Sequence, residues 1–233
     1  MIISNSKSQQ IKIDVKVQKT PIPSEYIIPT GTIEITENGE YDVKNYETAE
    51  VNVSGGSTSL VLPDGIAFGS SLFSELPEWI ENADTSELTS MCCMFYWCNM
   101  LQTINLNNWD TSNVEDMSSM FEYCGVNELD LSNFDVSNVT DMTAMFGHCS
   151  SLQTINFNNW NPSSVEDMWG MFENCSSLSN ETLNDILLIC INATAYEGTK
   201  TLEEIGLSSS QATTCQGLSN YQAFLDAGWT TGY

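Results

Sequence analysis

The residues of this chain best equipped for chemistry are eight cysteines, one histidine and a large excess of carboxylates. His148 directly precedes Cys149, the one place where an imidazole and a thiol are neighbours in sequence. Such a pair supports nucleophilic catalysis when the imidazole takes the thiol proton. The spacing speaks against that use. Cys98, Cys124, Cys149 and Cys175 recur at intervals of 26, 25 and 26 residues, so Cys149 marks a repeat position. His148 falls in a slot that holds Trp97, Tyr123 and Asn174 in the other copies, which reads as a partly exposed, variable position.

An even number of cysteines also suits a disulfide framework or a metal site. No C-x-x-C occurs, which weakens the zinc reading. Cys92, Cys93, Cys190 and Cys215 sit in apolar-periodic contexts. Buried reduced thiols, acting as small hydrophobes, are the expectation. The carboxylates single out no acid and base pair. Asp130 and Asp135 with neighbouring acids offer oxygens to calcium, but no EF-hand loop is present, and a solvated acidic face is the alternative. A phosphate loop, a G-x-S-x-G turn and a zinc helix are all missing from the sequence. The chain reads as non-enzymatic, with no cofactor and no metal.

The elements that carry these residues follow from the repeat. Three stretches align: LQTINLNNWDTSNVEDMSSMFEYC from Leu101, NELDLSNFDVSNVTDMTAMFGHC from Asn127, and LQTINFNNWNPSSVEDMWGMFENC from Leu152. A partial copy, ADTSELTSMCCMFYWC, begins at Ala83. Fixed-period self-similarity of this kind is the signature of a repeat architecture. In each unit, apolar residues two apart (Ile104/Leu106, Leu129/Leu131, Ile155/Phe157) predict a short strand. An aromatic follows (Trp109, Phe134, Trp160), then a turn at Asp110, Asp135 or Asn161. Met117, Met120, Phe121 and Cys124, at i, i+3, i+4 and i+7, predict the inner face of a short helix. Ser112 with Glu115 and Ser163 with Glu166 fit capping boxes. Asp116, Asp141 and Asp167 then fall in the first helical turn. The expected fold is an α/β solenoid: a short stack with a parallel sheet, a small N-terminal β-module and a C-terminal helical cap. Such units bury their apolar faces only by stacking. The methionines read as core filler rather than a ligand box.

The division of the chain follows. Residues 1–30 hold a strand and a Pro-rich stretch, 31–54 a small β-module, 55–68 a linker, 69–178 the repeats and 179–233 the helical cap. In the first of these, Ile11, Lys12, Ile13, Val15, Lys16 and Val17 alternate as a strand does. An isolated strand is unstable in water, so these residues are the expected anchor to a partner; folding back onto 31–53 is the competing possibility. In the second, Asn38–Gly39 predicts a hairpin turn between Ile33, Ile35 and Tyr41, Val43. At the C-terminus, Leu183, Ile186, Leu187, Cys190 and Ile191 form a helical stripe opened by Asn180. Thr201–Glu204 and Ser208–Gln211 suit capping boxes, and Gly228 a helix stop.

Charge narrows the partners. The 233-residue chain carries 31 acids against six lysines and no arginine, a formal net charge of -25. Four lysines lie in the first twenty residues, against Asp14 alone. A surface this acidic is repelled by phosphate backbones, which argues against nucleic acid, and no apolar run is long enough to span a membrane. No secretory leader is recognisable, so a route other than secretion is expected.

The repeats resemble the BspA-like leucine-rich repeats, whose consensus L-x-L-S-x-F-D-x-S-x-V-x-x-M-x-x-M-F-x-x-C Leu129–Cys149 follows almost position by position; Asn161–Pro162 departs from it. Residues 31–53, GTIEITENGEYDVKNYETAEVNV, resemble segments of tail, baseplate and fibre proteins of phages of Gram-positive bacteria. Together the resemblances imply a virion structural protein, a fibre, spike or decoration protein, assembled in the host cytoplasm. It would be homo-oligomeric, held to other virion proteins by its N-terminal segment, and adhesive towards a host surface protein or glycan. A bacterial cell-surface adhesin is the alternative. The outward strand positions Thr103, Asn105 and Asn107, Glu128, Asp130 and Ser132, and Thr154, Asn156 and Asn158 are the expected binding face; simple solvation is the other reading of them.

Overall fold

The computed structural model describes residues 83–233 and Glu81, together with the backbone of four short strands nearer the N-terminus. Those strands are β1 (Ile2–Ile3), β2 (Ile11–Asp14), β3 (Thr32–Ile35) and β4 (Gly39–Glu40). β2 runs antiparallel to β3, with Ile11 opposite Ile35 and Lys12 opposite Glu34. β1 runs antiparallel to β4. The alternating N-terminal strand thus finds its partner inside the chain, the competing possibility above. This removes the argument that Ile11, Lys12 and Ile13 must pair with another protein. Val15, Lys16 and Val17, the second hairpin arm at Tyr41 and Val43, and the linker lie outside the described residues. Gly39 pairs with Ile3 of β1, and Asn38, the other residue of the expected turn, lies outside the described residues too.

From Ala83 onward, each copy of the repeat hydrogen-bonds to the next. Ser90, Asp116, Asp141 and Asp167 form successive parallel bridges. Around Met117–Cys124 the structure corrects the expected helix. Every second amide reaches the next copy: Met117 N–H donates to Asp141 O, Ser119 to Thr143, Phe121 to Met145 and Tyr123 to Gly147, at 2.8–2.9 Å. The amides between them close three-residue turns, Met120 to Met117 and Cys124 to Phe121. The same alternation joins Met91–Trp97 to the second copy and Met142–His148 to the fourth. Each copy places two residues in the left-handed region: Cys93 and Trp97, Ser119 and Tyr123, Ala144 and His148, Gly170 and Asn174. A helix would satisfy each amide within its own copy and leave the neighbour's carbonyls bare; the turn row satisfies both. Nor do the expected capping boxes form: Glu115 and Glu166 donate their amides to Thr89 O and Thr140 O.

Opposite, β5 (Glu128–Asp130) and β6 (Thr154–Asn156) pair in parallel with Leu129 beside Ile155. The matching segment at Ile104 is not a strand of this sheet, although Ile104 packs on the core. The copy between is shorter here by one residue. Gly125 replaces the two residues that separate Cys98 from Leu101, and a Cβ on it would sit 2.1 Å from Asn99 O.

Between these faces lies a layered core. Phe95, Phe121, Phe146 and Phe172 stack in sequence with centroids 5.4, 5.8 and 5.5 Å apart. Met94, Met120, Met145 and Met171 are fully buried beside them. The thiols of Cys149 and Cys175 donate to Phe121 O and Phe146 O, each at 2.9 Å. Burial makes both weaker acids, pushing the pKa of Cys149 well above the usual thiol range and that of Cys175 up to about 12.

The last copy is closed by α1 (Asn180–Asn192), α2 (Ser209–Cys215) and α3 (Tyr221–Asp226). Ser179, not Asn180, caps α1 by accepting from Thr182 N–H. The buried Thr182 hydroxyl meets the edge of β6, bonding Gln153 O and Ile155 N. Ser208 and Gln211 form the expected capping box, whereas Thr201 and Glu204 bond within a turn and start no helix. Gly228, at φ 88°, follows α3 as its stop.

Candidate functional site

Three surface features gather side chains able to bind. The first is the polar grid expected on the strands. All nine of its positions reach solvent, Ser132 and Asn156 partly so. Register places Glu128 beside Thr154 and Asp130 beside Asn156. Asn156 Nδ2 donates to Asp130 Oδ1 at 3.0 Å, and Ser132 Oγ donates to the same oxygen at 2.7 Å. The Ser132 hydroxyl is the main reason the pKa of the Asp130 carboxyl is held below the usual carboxylate range. Thr103, Asn105 and Asn107 are exposed but lie off the two-stranded sheet.

Much of this polarity serves the backbone. Asn105, Asp130 and Asn156 each accept from the amide two residues ahead. Asp110 and Asp135 do the same for Ser112 and Ser137, and Asp116, Asp141 and Asp167 for Ser118, Thr143 and Trp169. These are local turns closed by Asx side chains. They account for many of the acids without a ligand. Asp130 and Asp135, the calcium candidates, each spend an oxygen this way, and no group of three metal-ligating side chains gathers among the described residues.

The second feature escaped the sequence reading as a unit. Trp97, Tyr123, His148 and Asn174, one per copy, line up along the outside of the turn row. Trp97 and Tyr123 centroids are 4.5 Å apart, and Tyr123 and His148 stack at 4.3 Å with planes 5° apart. Asn174 Nδ2 meets His148 Nδ1 at 3.2 Å, and Trp97 is 45% exposed. The left-handed backbone at all four positions aims these side chains out of the row. Their shared repeat slot was the available signal. The Cys149 thiol beside His148 in sequence points the other way, into the core, so the two form no catalytic pair.

The third is a cleft of about 450 Å³ between the last copy and the C-terminal segment, lined by Trp169, Glu173, Asn174, Glu203, Gln211 and Tyr233 among others. Trp169 and Tyr233 are 57% and 61% exposed. Asn174 belongs to both row and cleft. Aromatic rings beside amides and carboxylates can stack on an apolar ligand face while bonding its hydroxyls. Only the fold of the C-terminal segment onto the last copy assembles this cleft, so no local motif announces it. No described helix is long and apolar enough to cross a membrane.

The family described as Mycoplasma protein of unknown function, DUF285, matches residues 68–185, just over half of the chain. No curated protein and no solved structure matches it. The chain belongs to the DUF285 family.

Proposed function

We propose that this DUF285-family chain is a non-enzymatic virion structural protein, a fibre, spike or decoration protein, whose repeats form a leucine-rich-repeat-like solenoid of the BspA kind and present an adhesive surface. The observation that carries the reading is the stacked row of exposed Trp97 with part-buried Tyr123 and His148, beside a cleft holding exposed Trp169. Solvent-exposed aromatic rings cost solubility and are concentrated where a protein binds. A glycan supplies the complementary chemistry, apolar ring faces edged by hydroxyls, and the amides and carboxylates of the polar grid supply hydrogen bonds. Repetition along the chain suits weak contacts multiplied by valency. The likeness of residues 31–53 to phage tail and fibre segments supports the virion setting, with the N-terminal segment as the attachment to other virion proteins and with homo-oligomers on the particle.

The alternative, a bacterial cell-surface adhesin, draws support from a family description that names a bacterium rather than a virus. Fractionation separates the two: the chain copurifies with particles in one case and with cell envelopes in the other. Adhesion itself is tested with Trp97→Ala/Trp169→Ala and Asn105→Ala/Asp130→Ala/Asn156→Ala proteins in a cell-attachment or glycan-array assay. The aromatic pair should lose binding; if both proteins attach like the parent, the adhesive reading is wrong.

A further inference from the structure

Two of the eight cysteines, Cys92 and Cys93, lie within the repeats but off their cysteine row. Cys98, Cys124, Cys149 and Cys175 occupy a buried core row, and Cys190 and Cys215 are buried in the cap. Cys92 and Cys93 are only half-buried. In the later copies their slots hold Ser118 and Ser119, Thr143 and Ala144, Trp169 and Gly170. The framework therefore needs no sulfur at either position, and a serine pair fills both in the next copy. The backbone brings the thiols together. Cys92 N–H is held by Ser90 Oγ at 3.2 Å, Cys93 takes a left-handed conformation with φ 58°, and its N–H is anchored to Ser118 O at 3.0 Å. The two Sγ atoms end 3.3 Å apart.

From this geometry we propose that Cys92 and Cys93 are a redox-active vicinal dithiol that exchanges with low-molecular-weight disulfides, Cys92 attacking and Cys93 resolving. In the first step the Cys92 thiolate attacks one sulfur of the small disulfide, forming a mixed disulfide at Cys92 and expelling one small thiolate. In the second, Cys93 loses its proton to solvent and its thiolate attacks Cys92 Sγ. The Cys92–Cys93 bond forms and the second small thiolate leaves. The dithiol is oxidised by two electrons and the small disulfide is reduced to two thiols.

The assignment of roles has support in the surroundings. Thiolates, not thiols, attack, and the best attacker titrates near ambient pH. The Cys92 thiol is lowered to about 6, first by the hydrogen bond from Cys93 and further by Ser118, against burial and the nearby carboxylates of Asp116 and Asp141. The six other cysteines are shut in, and burial pushes Cys124, Cys149, Cys175, Cys190 and Cys215 above the usual thiol range.

The test treats the folded full chain with oxidised glutathione near neutral pH, quenches with acid, digests and weighs the peptide holding both residues. The expected result is that this peptide loses two hydrogens while the other cysteine peptides stay reduced. Cys93→Ser should stop at a stable glutathione adduct on Cys92. Cys92→Ser should leave Cys93 at least tenfold slower to react. Both variants keep a residue that the next copy already carries at that slot, so folding is not in question. A parent protein in which Cys92 and Cys93 react no faster than Cys98, or one that accumulates the glutathione adduct without closing, overturns the proposal.

Discussion

The Thr111 hydroxyl satisfies both backbone groups of a residue one copy ahead: it accepts Asp135 N–H at 2.8 Å and donates to Asp135 O at 3.0 Å. Thr85 does the same for Asp110. Both threonines are almost wholly buried, so no water is at hand to replace them. Thr111→Val keeps the shape and removes the bonds. It should cost about 1–3 kcal/mol, the penalty for leaving buried polar groups without partners, read as a lower urea midpoint. Thr111→Ser should recover most of it. Val136 fills the same slot in the following copy and can make neither bond. An unchanged midpoint for Thr111→Val would show that these bonds do not hold the copies together.

Two glycines should fail for different reasons. At Gly170, φ is 63° and a Cβ would meet nothing closer than 3.5 Å. Gly170→Ala is therefore a purely conformational cost, about 1–2 kcal/mol. At Gly125 the Cβ would collide with backbone at Asn99. Gly125→Ala should lower the denaturation midpoint further than Gly170→Ala does, because backbone cannot move aside as a side chain can. The reverse order would place the short turn of this copy elsewhere.

That turn explains the one irregular interval, 25 residues among 26s, which was plain in the sequence while its consequence was not. The phase of the repeat was legible because Met120, Phe121 and Cys124 and their counterparts must all point inward, and they are buried. The helix expected from the same residues was not correct. Inward positions at i, i+3, i+4 and i+7 also arise from a row of tight turns, and periodicity cannot separate the two. Glycine normally announces left-handed backbone, yet seven of the eight such positions in the turn row carry side chains, from Cys93 to Asn174. The aromatic row hangs from those positions, and so it too stayed hidden as a surface. The polar grid was legible as a set of exposed residues, because strand alternation is local. Its division between ligand-ready groups and groups committed to Asx turns needed coordinates.

Acid should weaken the fold through the Asx turns. Hydrogen bonds from Ser112, Ser132 and Ser137 hold the carboxyls of Asp110, Asp130 and Asp135 below their usual range. A depressed folded value gives stability that is complete above the unfolded value, about 3.9, and is lost as pH falls through the folded value. Melting temperature should therefore fall below about pH 4. Ser112→Ala/Ser132→Ala/Ser137→Ala should flatten this limb, leaving a shallower drop between neutral and acid. A triple variant with the parent's acid limb would assign the acid sensitivity to other groups.

Asp185 should behave in the opposite sense. It lies on α1, part-buried, and its carboxyl is raised first by that burial and then by Glu181 one turn earlier. A raised folded value means that the ionised form is disfavoured in the native state. The contribution to stability is fully present below the unfolded value, about 3.9, and is lost as pH rises through the folded one. At neutral pH the residue is thus a burden on the cap that closes the repeats. Asp185→Asn removes the charge with little change in size, so it should raise the melting temperature at pH 7. At pH 3, where the parent's carboxyl is already neutral, the two proteins should melt together. A gain of the same size at both pH values would trace the effect to helix propensity or packing; a loss at pH 7 would mean that the carboxylate has a favourable partner there.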